Sequence, residues 1–398
     1  MLRLKNPRRH YDWGSDTAIP TFAGEQGTGA PVAEEWMGTH PLGESLAIAR
    51  DGVLVPLSEV SGDLPFMFKI LAAARPLSVQ VHPSAEIARA GFEAEQTAGV
   101  RLDDPARTFK DPNHKPEMAY ALTTFDTLVG FRPTAEILRI LHGLDVPLAQ
   151  RLADELTADP GFAGIVRLVE DVLSGDVTAE DVDAIVAGSA DLVQRGIDIR
   201  RAYSTVVEVA EDHPGDPGVV IALLLNRLTL QAGEAAFLGD GIIHAHLRGM
   251  CLEIMANSDN VLRAGLTSKP LDTVGLVECL DVGMSRVARV TPRLFGGSTD
   301  IFAPDVREFA LAVGQCSTGD PDGIELPLSK QRIIVCTGGD VEIVNADGQR
   351  IPLSRGQSLY AGADDGIVSV FGVGEVAQAY LPPADDMVSA GTLLVDLV

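Results

Sequence analysis

From Pro76 to Ser84 apolar and polar positions alternate strictly, with Leu77, Val79 and Val81 on one parity and Ser78, Gln80 and His82 on the other. A strand sends successive side chains to opposite faces. The spacing therefore predicts a strand with one hydrocarbon face and one face carrying a hydroxyl, an amide and an imidazole. Short apolar runs broken by Gly and Pro fill the rest of residues 1–132, a mostly β signature. From Thr134 the period changes. "TAEILRILHGL" puts Ile137, Leu138 and Leu141 on one helical face behind Thr134 as a candidate cap. Phe162, Ile165, Val166, Val169, Val172 and Leu173 keep the i, i+3, i+4, i+7 spacing of an amphipathic helix. "TAEDVDAIV" repeats the cue, with Thr178 as cap and Asp181 three positions on. Residues 133–212 thus predict a helical block, closed by the turn residues of "HPGDPG" at 213–218. β texture then returns and persists. The pattern predicts a mainly β fold with an α-helical insertion. One discontinuous β unit takes residues 1–132 and 213–299, and a second takes 300–398.

The second β unit carries an echo of the first. "LTLQAGEAAFLGDG" (228–241) aligns with "IPLSRGQSLYAGAD" (351–364) without a gap, matching Leu230, Gly233, Phe237 and Gly239 to Leu353, Gly356, Tyr360 and Gly362. The shared spacing predicts two copies of one unit: strand, Gly turn, second strand, turn. The first copy continues to His244; the same offset in the second copy lands on Ile367. An imidazole in one copy and a hydrocarbon in the other is the expectation for a metal-holding unit and a structural duplicate.

Composition narrows the partners. The chain has 398 residues, with 31 basic and 56 acidic side chains and a net charge of −25. Such a surface repels nucleic acid and anionic membranes, and neither is expected as a partner. An anionic substrate would need a local cluster of Lys or Arg. The basic N-terminus "MLRLKNPRRHYDWG" has no apolar core after it and does not read as a signal peptide, and no apolar run is long enough to span a bilayer. Cys251, Cys279, Cys316 and Cys336 show no CxxC spacing and read as reduced core thiols of a cytoplasmic protein.

Candidate ligands come from three segments. Gln80 and His82 share a strand face; "DPNHKPEMAYAL" offers His114, Lys115 and Glu117; His244 ends the first copy of the repeat. Imidazole, carboxylate and amide oxygen suit zinc and its neighbours. Taken singly, each is equally an ordinary core or surface polar residue.

These segments sit within longer stretches: "YDWG" (11–14), "EEWMGTHPLGES" (34–45), "PFMFKIL" (65–71), "PLSVQVHP" (76–83), "NHKPEMAYALTTFDTLVGFRP" (113–133) and "LEIMANSDNVLRAGLTSK" (252–269). In this order they resemble the type I mannose-6-phosphate isomerases, of the cupin superfamily. The resemblance implies two cupin-like jelly-roll β barrels plus a helical domain, the C-terminal barrel without metal. It implies one Zn²⁺ per chain, held by Gln80, His82, Glu117 and His244, and a sugar phosphate substrate. It implies interconversion of D-mannose 6-phosphate and D-fructose 6-phosphate through an enediol(ate), by a monomer. One position departs from the family pattern: His246 stands in "HAH" where an aromatic is usual.

Zn²⁺ with one carboxylate and three neutral ligands leaves a site of about +1, which stabilises an enediolate. Alternation through "RAGLTSK" would put Arg263, Gly265, Thr267 and Lys269 on one face, so Arg263 is expected to meet the developing anion. For proton transfer, His114, Lys115 and a zinc-bound water remain open. Phosphate donors are Ser78, Lys69, Lys115 and Lys269. Lys69 lies in an apolar run and needs a partner, Glu253 or another acid. Glu253 and Trp13 are further candidates for contact with the sugar; Trp13 and Trp36 are equally suited to the core. Two rival readings are another metal-dependent cupin enzyme, such as an iron oxygenase, and a sugar-binding cupin without turnover.

Overall fold

A computed structural model describes residues 1–104, 107–281, 287–383 and 392–395. Its strands form two antiparallel sheets, and the described pairings close neither into a barrel. The protein is mainly β with helices, as the hydrophobic pattern predicts.

The two sheets repeat one plan. In the first, the long strand His244–Ala256 lies between Phe66–Ala73 on one side and Glu117–Ala121 followed by Phe125–Phe131 on the other, with Gln80–Val81 at its start. In the second, Val368–Tyr380 lies between Ala310–Cys316 and Gln331–Asn345, with Ile324–Leu326 at its start. Gly249 and Gly372 occupy matching places in the two long strands, at φ +116° and +108°, a conformation open to glycine and strained for other residues. The internal repeat read from the sequence is thus repeated in pairing and in backbone. Ile367, the counterpart of His244, is 49% exposed.

The sheets pack face to face. Phe66, Phe68 and Leu252 of the first share a core with Phe309, Leu311 and Ile333 of the second, so the C-terminal sheet covers apolar surface of the first. The opening residues are divided between them. Leu2–Lys5 and Leu46–Ile48 pair within the second sheet, whereas Arg8–Arg9 and Glu34–Met37 belong to the first.

Helices intervene between Phe125–Phe131 and Leu225–Leu230, two strands that pair with each other. Thr178 caps Ala179–Gln194 in a full capping box with Asp181. Thr134 does not cap: it is the first helical residue of Thr134–Gly143 and its hydroxyl donates to the Pro160 carbonyl. "HPGDPG" does not end the helical texture either. The wholly apolar Gly218–Leu224 forms one more helix, buried at every position, before the β structure resumes. No helix among the described residues is long and apolar enough to cross a membrane.

The helical core reaches the strand with which the pattern began. Val79 and Val81 are buried against it, together with Ala245, Leu247 and Leu262. Only Gln80–Val81 is regular strand, but backbone bonds from Leu77 to His246, and between Val79 and Ala264–Gly265, keep the segment extended. Pro83 and Ser84 end it, and Ser84 caps the helix Ala85–Thr97. Val79 and Val81 are therefore fixed on the helices, which turns Gln80 and His82 the other way.

Candidate metal centre and substrate site

On that polar side, His82, Glu117 and His244 bring one ligand atom each within 4.8 Å of one another, and all three residues are buried. His82 Nε2 lies 3.3 Å from Glu117 Oε1, and His244 Nε2 lies 3.4 Å from Glu117 Oε2. Each Nδ1 faces a backbone carbonyl, Asn260 O at 2.8 Å for His82 and Ile242 O at 2.9 Å for His244. A carbonyl only accepts, so each Nδ1 is the protonated nitrogen and donates to it. Burial, with Lys115 adding to it, pushes His82 down to about 4 against the pull of Glu117. At neutral pH its Nε2 is then a lone pair facing a carboxylate. His82 Nε2, His244 Nε2 and Glu117 Oε2 have no hydrogen-bond partner. Three buried acceptors converging without a donor are costly unless a cation lies between them. A histidine whose far nitrogen is pinned by a carbonyl is the usual support of a metal ligand.

Two further residues extend this face. Gln80 stands opposite His244 on one side and opposite Arg263 on the other. Residues directly opposite in an antiparallel pair point the same way. The row His244–Gln80–Arg263 therefore crosses three strands, about 10 Å at the usual strand spacing. Lys115 Nζ is 2.9 Å from Glu117 Oε1, at the carboxylate itself. Arg263 has no carboxylate at ion-pair distance among the described residues, and burial pulls its pKa down. Lys269 is also lowered, first by Arg263 and then by burial. A guanidinium and an ammonium held near each other without a counter-ion are suited to an anion.

Residues 1–134 match the family described as phosphomannose isomerase type I, catalytic domain. The mannose-6-phosphate isomerase of Salmonella typhimurium is 34% identical over 96% of this chain and 99% of its own length. The chain belongs to the mannose-6-phosphate isomerase family. The human mannose-6-phosphate isomerase is 32% identical over 85% of each chain. A solved structure of the Salmonella mannose 6-phosphate isomerase bound to substrate and zinc superposes with a TM-score of 0.84 at 31% identity, covering 96% of this chain and all of that one.

Within this member of the isomerase family, several residues singled out from the sequence lie where their neighbours limit what they do. Lys69 is buried between Glu253 Oε2 at 2.9 Å and Glu34 Oε1 at 3.5 Å, so its partners are protein carboxylates. Burial opposes its charge, but the two acids hold it above the usual lysine range. Burial likewise pushes Glu253 up, and the Lys69 ammonium overcomes this and sets it at about 2. His246 reaches the same network, with Nε2 3.3 Å from Glu253 Oε1 and Nδ1 3.1 Å from Thr127 Oγ1. Trp36 donates to Glu34 at 2.6 Å beneath the Arg9 guanidinium and belongs to the core. Trp13 stacks on Tyr11 and, like Leu77, packs against a buried cluster of the first sheet. Ser78 is half-buried on the extended segment. The alternation expected through "RAGLTSK" stops after Arg263, because Gly265 and Leu266 turn to φ +108° and +53°.

His114 is clamped. Its Nδ1 lies 2.9 Å from Asp240 Oδ2 and its Nε2 3.1 Å from Glu308 Oε1, a residue beside the second sheet. Hydrogen bonds to Asp240 and Glu308 raise it to about 10. An imidazolium with both N–H groups engaged has no lone pair with which to take a proton. Its folded value lies above the unfolded one, so the clamp stabilises fully below about pH 6.5 and is lost as pH rises through about 10. Glu308→Gln should therefore lower the melting temperature near neutral pH, with the difference from the parent shrinking above pH 10. A difference that stays constant across that range would show that the charge on His114 is not involved.

Two functional residues escape sequence reasoning. Asn260 is fully buried; its carbonyl holds His82 while its side chain takes Lys110 N, Asp111 O and Asn113 O, shaping the loop that leads to Lys115 and Glu117. Asp240 anchors His114 from the turn before His244. A buried amide inside "SDN" is the one signal available for Asn260; Asp240 sits in a turn where any polar residue passes as solvated.

Proposed function

We propose that His82, Glu117, His244 and Gln80 hold the zinc ion of this isomerase, and that Arg263 and Lys269 hold the substrate's phosphate. The protein is a zinc-dependent mannose-6-phosphate isomerase, interconverting D-mannose 6-phosphate and D-fructose 6-phosphate, with one zinc ion per chain. The observation that carries the site assignment is the convergence of three partnerless buried atoms, His82 Nε2, Glu117 Oε2 and His244 Nε2.

When bound, zinc supplies Lewis-acid stabilisation of the sugar oxygens as negative charge develops. The protein's own side chains do the rest. Isomerisation removes a proton beside a carbonyl and returns one to the neighbouring carbon. Lys115, at the edge of the carboxylate–imidazole cluster, is placed to hold or move that proton; His114, with both nitrogens occupied, positions the loop instead. Arg263, in the row with His244 and Gln80, and Lys269 bind the phosphate end of the sugar. This assigns Lys115, open between proton transfer and phosphate in the sequence, to the proton, and moves Arg263 from the enediolate to the phosphate. Two observations support this: Lys115 Nζ touches the Glu117 carboxylate, and Arg263, opposite Gln80, has no carboxylate at ion-pair distance among the described residues. Glu253 and Lys69 remain paired with each other, in a buried network with Glu34 and His246.

Residues 1–132 and 213–299 would make the catalytic unit, 133–212 the helical insertion and 300–398 the structural duplicate. We propose that each sheet is a cupin-like jelly roll; the repeated strand pairing supports this. Four buried free cysteines accord with a cytoplasmic setting.

Arg263→Ala tests the phosphate assignment. It should raise KM for mannose 6-phosphate roughly tenfold or more, the loss of one charged contact, with zinc content unchanged. Arg263→Lys should recover part of this, because an ammonium keeps the charge without the planar fork. Collapsed turnover at unchanged KM would return Arg263 to the reacting carbons.

A further inference from the structure

The turn "HPGDPG" reads in the sequence as punctuation, yet its aspartate is bonded to the loop that carries both phosphate-facing cations. Asp216 Oδ1 accepts from Gly218 N at 2.7 Å and from Leu266 N at 2.9 Å, and Oδ2 accepts from Thr267 N at 3.2 Å. We propose that Asp216 is a positioning residue for substrate phosphate: it fixes the loop 264–268 so that Arg263 at its entry and Lys269 at its exit face one anion. The inference rests on the assignment of Arg263 and Lys269 to the phosphate.

Three features require such an anchor. Leu266 stands at φ +53°, a left-handed conformation that a leucine keeps only when its surroundings impose it. The bonds from Asp216 to Leu266 N and Thr267 N flank that residue, and the Leu266 side chain is buried in the helical core beneath. Second, the turn and the loop touch backbone to backbone. A Cβ on Gly218 would lie 2.6 Å from Leu266 N, and one on Gly265 would lie 2.5 Å from Gly218 Cα, so glycine at both positions permits the approach. Third, Arg263 and Lys269 repel each other and have no carboxylate partner among the described residues. Left free, such a loop would move the two charges apart. Asp216 commits its hydrogen-bonding capacity to backbone N–H groups, so it brings a negative charge close without occupying either cation.

The same turn is tied to the other wall of the site. His213 Nε2 lies 3.1 Å from Pro76 O, and Arg75 Nε lies 3.4 Å from Asp212 Oδ1. The turn after the helical block thus fastens both "PLSVQVHP" and "RAGLTSK".

The test uses zinc-loaded full-length protein and inorganic phosphate as a competitive inhibitor against mannose 6-phosphate. Asp216→Asn should raise the phosphate inhibition constant and KM together by about tenfold, the equivalent of one lost charge-assisted contact, while turnover changes less than about threefold and zinc content holds. Gly218→Ala displaces the loop without altering charge and should shift the same two constants in the same direction. Arg263→Ala serves as the reference. If it raises the inhibition constant and the Asp216 and Gly218 variants do not, the inference fails and the phosphate assignment stands. If Arg263→Ala leaves the inhibition constant unchanged, the assignment itself fails and takes the inference with it. Turnover that falls at constant KM in both variants would also overturn the positioning role. Should Asp216→Asn not fold, Gly218→Ala decides alone.

Discussion

His82→Ala and His244→Ala should each lose the zinc ion and at least about a thousandfold of turnover, more than the removal of a single hydrogen-bond donor from an oxyanion site. The two imidazoles, with ring centroids 5.1 Å apart, reach different oxygens of Glu117, and each is oriented by a backbone carbonyl. With one removed, the remaining protein ligands make an incomplete site that water must fill. The orienting carbonyls are backbone groups, so neither substitution disturbs the second imidazole, and the fold should survive. Metal analysis of each purified variant beside its isomerase rate checks this. A variant that keeps stoichiometric zinc and normal turnover would remove that histidine from the centre.

Lys115→Ala should lower turnover by about 10²–10⁴, the usual worth of a positioned proton donor or acceptor, with zinc retained and KM close to that of the parent. The expectation follows from one distance, 2.9 Å between Lys115 Nζ and Glu117 Oε1, which puts the amine at the proposed metal centre. Lys115→Arg should not restore the rate, because a guanidinium does not exchange a proton near neutral pH. Steady-state kinetics separate the alternatives. A large rise in KM at unchanged turnover would show that Lys115 binds phosphate and that the proton is handled elsewhere.

Two members of the buried cluster were legible because strand alternation and the internal repeat each singled out a polar group against an apolar background: His82 by parity, His244 by its mismatch with Ile367. Lys69 was legible in part, since a lysine in an apolar strand demands a partner; Glu253 supplies it, with Glu34 as a second. The helical block was legible by period, with Thr178 capping as its motif predicts. What escaped was long-range. His114 reads as a candidate base until Asp240 and Glu308, remote in sequence, occupy both of its nitrogens. The alternation beyond Arg263 fails because a left-handed Leu266 breaks the strand, and the bonds that impose it come from Asp216. Leu2–Lys5 carries no mark of joining the C-terminal sheet, since partner choice is set by the packing of the two sheets and not by the four residues themselves. "GVVIALL" is apolar at every position, so period alone does not separate helix from strand, and the structure makes it helix.

The most direct test of the account is a zinc titration of the chelated protein, following conversion of mannose 6-phosphate to fructose 6-phosphate. Activity should be absent without metal, rise in proportion to added zinc and level off at one equivalent per chain. Full activity in the metal-free protein, or no conversion at any zinc loading, would contradict it.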